Sequence, residues 1–301
     1  MKKLKCAALL AAALCCMALY ACAETLMAHV PVKGGYAQII ASETEGQKWL
    51  LLPSFASLET LSLYLDGKEV FLESAKTGDS LALLNGKGET VGQTGVMRSE
   101  NLRALFLFSD DPANYGRSYI DGSEMHETVS SGTLVMVDAD GRVVHAAEVK
   151  ELHGRGNSTW DAEKKPYSLK LDARTDLLDI GQPTKKWVLL ADAIDGTLIR
   201  NIMSLDLARE LGIASTPHAE HVDLYYDGEY RGTYLLCEKP DVDEWGIDEL
   251  DYGKLLKHLN RSIGIYDLEA LPLTVGVNAY GCEVGYTDGS AEANLPSSGA
   301  Y

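Results

Sequence analysis

The sequence predicts an α+β fold: a mostly antiparallel sheet with a few helices, preceded by a small β-rich module. Three observations predict it. Short alternating or fully apolar runs recur, and Asp-Gly pairs separate several of them, at Asp66-Gly67, Asp140-Gly141 and Asp227-Gly228. Such pairs favour tight antiparallel turns. One segment, residues 197–211, carries a helical period instead. Strands and helices do not alternate, and no GxGxxG opens a helix, so a doubly wound parallel sheet is excluded.

The elements follow in chain order. Met1 to Lys5 is a short basic start, Cys6 to Tyr20 is nearly all apolar, and Ala21-Cys22-Ala23 offers small residues to a signal peptidase. Residues 1–23 read as an export signal whose apolar run is short for a membrane span. Leu19-Tyr20-Ala21-Cys22 also resembles a lipobox, which would make Cys22 a lipidated N-terminus. Tyr20 is unusual at that place, which favours plain cleavage after Ala23. Residues 24–96 read as the accessory β module. Ala37 to Ala41 and Trp49 to Leu52 are apolar runs, and Leu61 to Leu65 turns at Asp66-Gly67 into Glu69 to Leu72.

Leu102 to Phe108 is an apolar run, and Asp110 to Glu127 reads as a polar loop. Thr133 to Val137 and Val143 to Leu152 form a hairpin about Asp140-Gly141. Tyr167 to Asp172 alternates, and Trp187 to Ala191 reads as a central strand. Within 197–211, Leu198, Ile202, Leu205 and Leu211 recur at helical spacing. Thr197 can cap the start and Gly212 supplies a left-handed stop. His221 to Tyr226 and Tyr230 to Cys237 make another hairpin. Asp243 to Leu259 reads as a helix broken around Gly253.

The chain carries 27 basic and 44 acidic residues, a net charge of −17. Without the first 23 residues, 24 basic residues face the same 44 acids, a net charge of about −20. Such a surface repels nucleic acid and anionic membranes, leaving a lipid on Cys22 as the membrane contact. It suits cationic partners or a divalent metal, and solubility outside the cell explains it equally. Cys237 and Cys282 are the cysteines clearly beyond the signal. They can pair after export, or Cys237 can be a buried free thiol in its apolar run. No CxxC or Cys/His cluster supports a structural zinc, and no GxSxG or HExxH supports a hydrolase.

The chemistry gathers at His153-Gly-Arg-Gly-Asn-Ser-Thr-Trp160. Gly154 and Gly156 let backbone N–H groups approach an anion, Arg155 offers a planar cation suited to phosphate, and Ser158 and Thr159 add hydroxyls. Lys164, Lys165 and Lys170 follow closely. A glycine-bearing turn with solvated lysines reads the same way. Asn157-Ser158-Thr159 also matches a glycosylation sequon.

That stretch, with Lys164 to Leu171, Lys185 to Ala191, Thr197 to Asn201, Leu207 to Gly212 and Val222 to Lys239, resembles the CotH-type spore-coat kinase family. The resemblance covers about residues 100–301. It implies that residues 97–301 form the N-terminal part of an atypical kinase-like domain. It further implies binding of ATP with Mg²⁺ or Mn²⁺, and phosphorylation of Ser or Thr in coat or envelope proteins. Carried over, Gly154, Arg155, Gly156, Asn157, Ser158 and Thr159 form the phosphate-covering loop. Lys170 pairs the nucleotide phosphates, or is a plain edge-strand lysine. Glu238 holds that lysine or a metal, or is a strand-end surface charge. The catalytic acids are expected beyond Tyr301, where Gly299-Ala300-Tyr301 resembles the start of a further strand, so the sequence reads as a fragment. Asp241, Asp243, Asp248 and Asp251 either bind a cation or solvate a helix start. The alternative is a non-catalytic extracellular or coat interaction module.

Overall fold

At Asp66-Gly67 and Asp227-Gly228 both residues take positive φ, at 51° and 73° and at 49° and 87°. That is the twist a two-residue hairpin needs, and both pairs turn the chain where the sequence places them. The computed structural model describes residues 25–73, 80–213, 216–239, 273–278 and 281–286. One compact unit spans Met1–Glu238 and a second Lys239–Tyr301. The expected export signal at 1–23, the four aspartates after residue 240, the expected helix at 243–259 and residues 299–301 lie outside the described residues.

Eight strands come first in the larger unit: β1 (Leu26–Val32), β2 (Gly35–Ile40), β3 (Ser42–Thr44), β4 (Gln47–Leu52), β5 (Ser62–Leu65), β6 (Lys68–Leu72), β7 (Leu81–Leu84) and β8 (Thr90–Arg98). Seven more follow: β9 (Arg103–Ser109), β10 (Val129–Val137), β11 (Val143–Gly154), β12 (Tyr167–Thr175), β13 (Thr184–Leu190), β14 (Ala219–Tyr226) and β15 (Glu229–Glu238). Their order is β13-β12-β11-β10-β9-β14-β15, and β13 also pairs with β15, so the seven close into a barrel. Every pairing in the ring is antiparallel except β9 with β14. Small barrels fill their interiors with side chains. Here Leu105, Leu134, Leu169, Trp187, Leu224 and Leu236 are among the residues that do so, and Leu177 and Leu178 from the β12–β13 connection join them.

The opposite faces of β9, β10 and β14 are also covered. Ala104, Phe106, Val135 and Tyr225 share a second core with Leu26, Ile39, Leu50 and Leu63 of the early strands. Burial on both faces is why Leu102 to Phe108 reads as a continuous apolar run rather than an alternating one.

The expected α+β, kinase-like arrangement is corrected. The described chain is mostly β, about 51% strand, around a closed seven-stranded barrel. Its strand segments are legible from alternation or from continuous apolar runs, but closure depends on pairs such as Arg103 with Val222 and Val188 with Cys237, which no turn announces. The polar stretch 110–127 also holds two one-turn helices, α1 (Pro112–Tyr115) and α2 (Arg117–Asp121). They are too short to show a period.

The helix expected at 197–211 is present as α3 (Arg200–Glu210), and Gly212 ends it at φ 70°. Its start is held by Asp195 rather than Thr197. The Asp195 carboxylate accepts from the Thr197 hydroxyl at 2.6 Å and from the Arg200 N–H at 3.0 Å. These bonds hold its pKa down at about 2. Ile202 and Leu205 of α3 pack on Val188, Leu190, Leu235 and Cys237, the outer face of β13 and β15. In the smaller unit, β16 (Leu273–Asn278) and β17 (Gly281–Tyr286) pair antiparallel. Among the described residues no helix is long and apolar enough to cross a membrane.

Candidate functional site

The loop begins where β11 ends. Gly154 lies under the Trp160 indole, and a Cβ there would come closer than 3.0 Å to three ring carbons. The indole is fixed by its Nε1, which donates to the Ser123 carbonyl at 2.7 Å. Lys165 Nζ lies 4.9 Å from the ring centroid and donates to the Trp160 carbonyl. The Trp160 N–H donates to Asn157 O at 3.0 Å, and Arg155 N–H donates to Pro166 O at 3.2 Å. Gly156 takes φ 89°, which a side chain would strain. The loop is therefore folded back and tied down, with Asn157 and Ser158 exposed at its tip.

Strand alternation decides what lies beside it. A register shift between Val149 and Glu151 turns Glu151 and His153 of β11 outward. In register, Glu151 opposes Lys170 and Lys170 opposes Lys186. His153 opposes Ser168, which opposes Val188, which opposes Cys237. Directly opposed side chains have Cβ atoms about 5 Å apart. Arg155 lies one step beyond His153, and its charge acts on the Cys237 thiol. Lys170 and the charge of Arg155 thus lie towards the outer face of the sheet, whereas Trp160 anchors the loop to the barrel core.

The basic residues of this stretch differ sharply in what they do. Lys164 lies 4.6 Å from the Tyr234 ring centroid and donates to Thr233 O. Burial lowers its pKa, against a raising effect of Asp192. Lys165 is spent on Trp160. Lys170 pairs with Glu151, both side chains being nearly half exposed at 44% and 47%. The hydrogen bond from Lys170 is the leading cause that lowers the Glu151 pKa. The Arg155 guanidinium has no ion pair or hydrogen bond among the described residues.

Glu238 is placed elsewhere. It is buried, accepts from the His218 N–H at 2.9 Å and lies 3.0 Å from His218 Nδ1. It opposes Trp187, whose side chain points into the barrel, so the structure does not bring it to Lys170. The carboxylate that meets Lys170 is Glu151. The sequence does not single it out, because the register shift in β11 hides its face. Cys237 is a buried free thiol whose pKa is pushed up to about 12, chiefly by burial. Among the described residues no group of three or more His, Cys, Asp or Glu side chains could hold a metal ion.

Comparison with known proteins bears on this region. Residues 152–257 match the family model described as CotH kinase protein, about a third of the chain. The match begins in β11, two residues before Gly154. None of the curated proteins matches the chain.

Proposed function

We propose that this protein, CotH-like over residues 152–257, is exported and binds ATP on the outer face of β11, β12 and β13. It then transfers the terminal phosphate to Ser or Thr of coat or envelope proteins. The observation that carries the reading is Arg155: a guanidinium in a glycine-bearing loop, with no ion pair or hydrogen bond among the described residues, in a chain of net charge −17. A cation without a partner among the described acids suits an anionic ligand. The residues present fit a phosphate. Arg155 and the N–H groups near Gly156 would hold it, and Ser158 and Thr159 would donate hydroxyls.

Lys170 sits in an exposed pair that costs little to exchange, so it can leave Glu151 for a phosphate oxygen. Glu151 is then the positioning carboxylate. Bound ATP supplies the phosphoryl group, and Mg²⁺ or Mn²⁺ arriving with it offsets its charge. Glu238, committed to His218, has no part in this reading. Export rests on residues 1–23, as does a lipid on Cys22.

Calorimetric titration with ATP and Mn²⁺ or Mg²⁺ tests it, on the wild type beside Lys170→Ala. An exposed pair contributes about 0–1 kcal/mol to stability, so the variant stays folded and lost heat reports binding. A wild type that binds no nucleotide, or a variant that binds it equally well, sinks the proposal. A second reading, a non-catalytic interaction module, is favoured by the commitment of Lys164 and Lys165 to carbonyls. It predicts partner binding that ATP does not change.

A further inference from the structure

Helix α3 turns its weaker apolar side to the barrel. Ile202 and Leu205 face the sheet and are only partly buried, and no residue of the helix is fully buried. The longer apolar stripe points to water. Ile199, Met203, Leu207 and Leu211 recur every four residues, and Ile194 and Ile213 flank them, all 47% to 74% exposed. Residues four apart on a helix form one continuous ridge. Monomeric proteins rarely leave contiguous apolar patches above a few hundred Å² in water. Four large side chains in one row, with Ile194 and Ile213 near its ends in sequence, give the helix an apolar ridge suited to the centre of an interface.

We propose that this stripe is a self-association surface, on which α3 packs antiparallel against α3 of a second copy of the chain. A two-fold axis at the level of Leu205 places Ile199 against Leu211 and Met203 against Leu207. It also brings Arg200 to the level of Glu210 of the second copy. Arg200 is exposed, its Nε 3.5 Å from Asp195, and Glu210 is exposed with no ion pair among the described residues. The charges at the two ends of the stripe are therefore opposite in sign, as antiparallel pairing of identical helices requires and parallel pairing does not. The net charge of −17 on each copy opposes association at low salt and is screened at physiological ionic strength.

Sedimentation velocity of the full chain at about 0.15 M salt, over a range of protein concentrations, tests the proposal. The wild type is expected to dimerise with a dissociation constant on the order of 10 µM. Leu207→Glu should weaken it at least about a hundredfold, because each dimer carries the change twice. Leu207 is exposed, so circular dichroism should show an unchanged fold. Arg200→Glu should weaken the dimer, and adding Glu210→Arg should restore it. Monomer mass at every concentration up to about 1 mM overturns the proposal. So does a dimer that Leu207→Glu leaves intact. A dimer that Leu207→Glu breaks, but that the double charge reversal fails to restore, overturns the antiparallel register.

Discussion

Replacing Gly154 by Ala puts a methyl group where the Trp160 indole lies, closer than 3.0 Å to three of its carbons. The backbone at Gly154 is ordinary strand, so the whole effect is steric. The ring cannot retreat freely. Its Nε1 is bonded to Ser123 O, and Lys165 lies over its face. Overpacking a well-fitted core costs about 1–3 kcal/mol, and losing the indole hydrogen bond adds about 1 kcal/mol. The expected loss is about 2–4 kcal/mol, a large share of a stability of about 5–15 kcal/mol. Urea denaturation of the two proteins measures it. The double variant isolates the cause: Trp160→Ala alone should cost about 3–5 kcal/mol, and Gly154→Ala added to it should cost almost nothing more. If Gly154→Ala lies within about 0.5 kcal/mol of wild type, the loop is not held by the indole, and the reasoning fails.

Two further predictions concern titration and reactivity. Asp195 has a folded-state pKa of about 2 against an ordinary 3.8, so its contribution to the start of α3 is present above pH 3.8 and is lost as pH falls towards 2. Carboxyl carbon shifts followed by NMR should show that midpoint, and a midpoint at or above 3.8 would contradict the capping role. Cys237, with its thiol pushed to about 12 by burial, should resist alkylation at pH 8 until the chain unfolds. Site-resolved mass spectrometry checks this, and rapid labelling of the native protein would refute the burial.

Much of the local structure is legible in the sequence, because its causes are local. Asp66-Gly67 and Asp227-Gly228 turn the chain through their own backbone preferences, and Gly212 ends α3 in the same way. The barrel is less legible. The parallel pairing of β9 with β14 and the contact of β13 with β15 are set by side chains distant in sequence, and neither leaves a turn between the strands. The apolar run at Leu102 to Phe108 announces burial on both faces but not what covers each.

At the site, the residues of the loop are legible and their roles are not. Lys164 and Lys165 look in sequence like a basic patch, yet each donates to a carbonyl and lies over a ring. Glu238 reads in sequence as a partner of Lys170 or a metal, or as a strand-end charge, and is buried on His218. The pairing of Lys170 with Glu151 depends on one register shift in β11, which leaves no trace in composition or spacing.

Hydrogen exchange with and without ATP and Mn²⁺ tests the central claim most directly. A nucleotide phosphate held by the loop should slow exchange at the amides of Gly156 to Thr159, and the protection should disappear in Arg155→Ala. Nucleotide binding that leaves those amides unchanged, or that protects them equally in Arg155→Ala, would contradict the account.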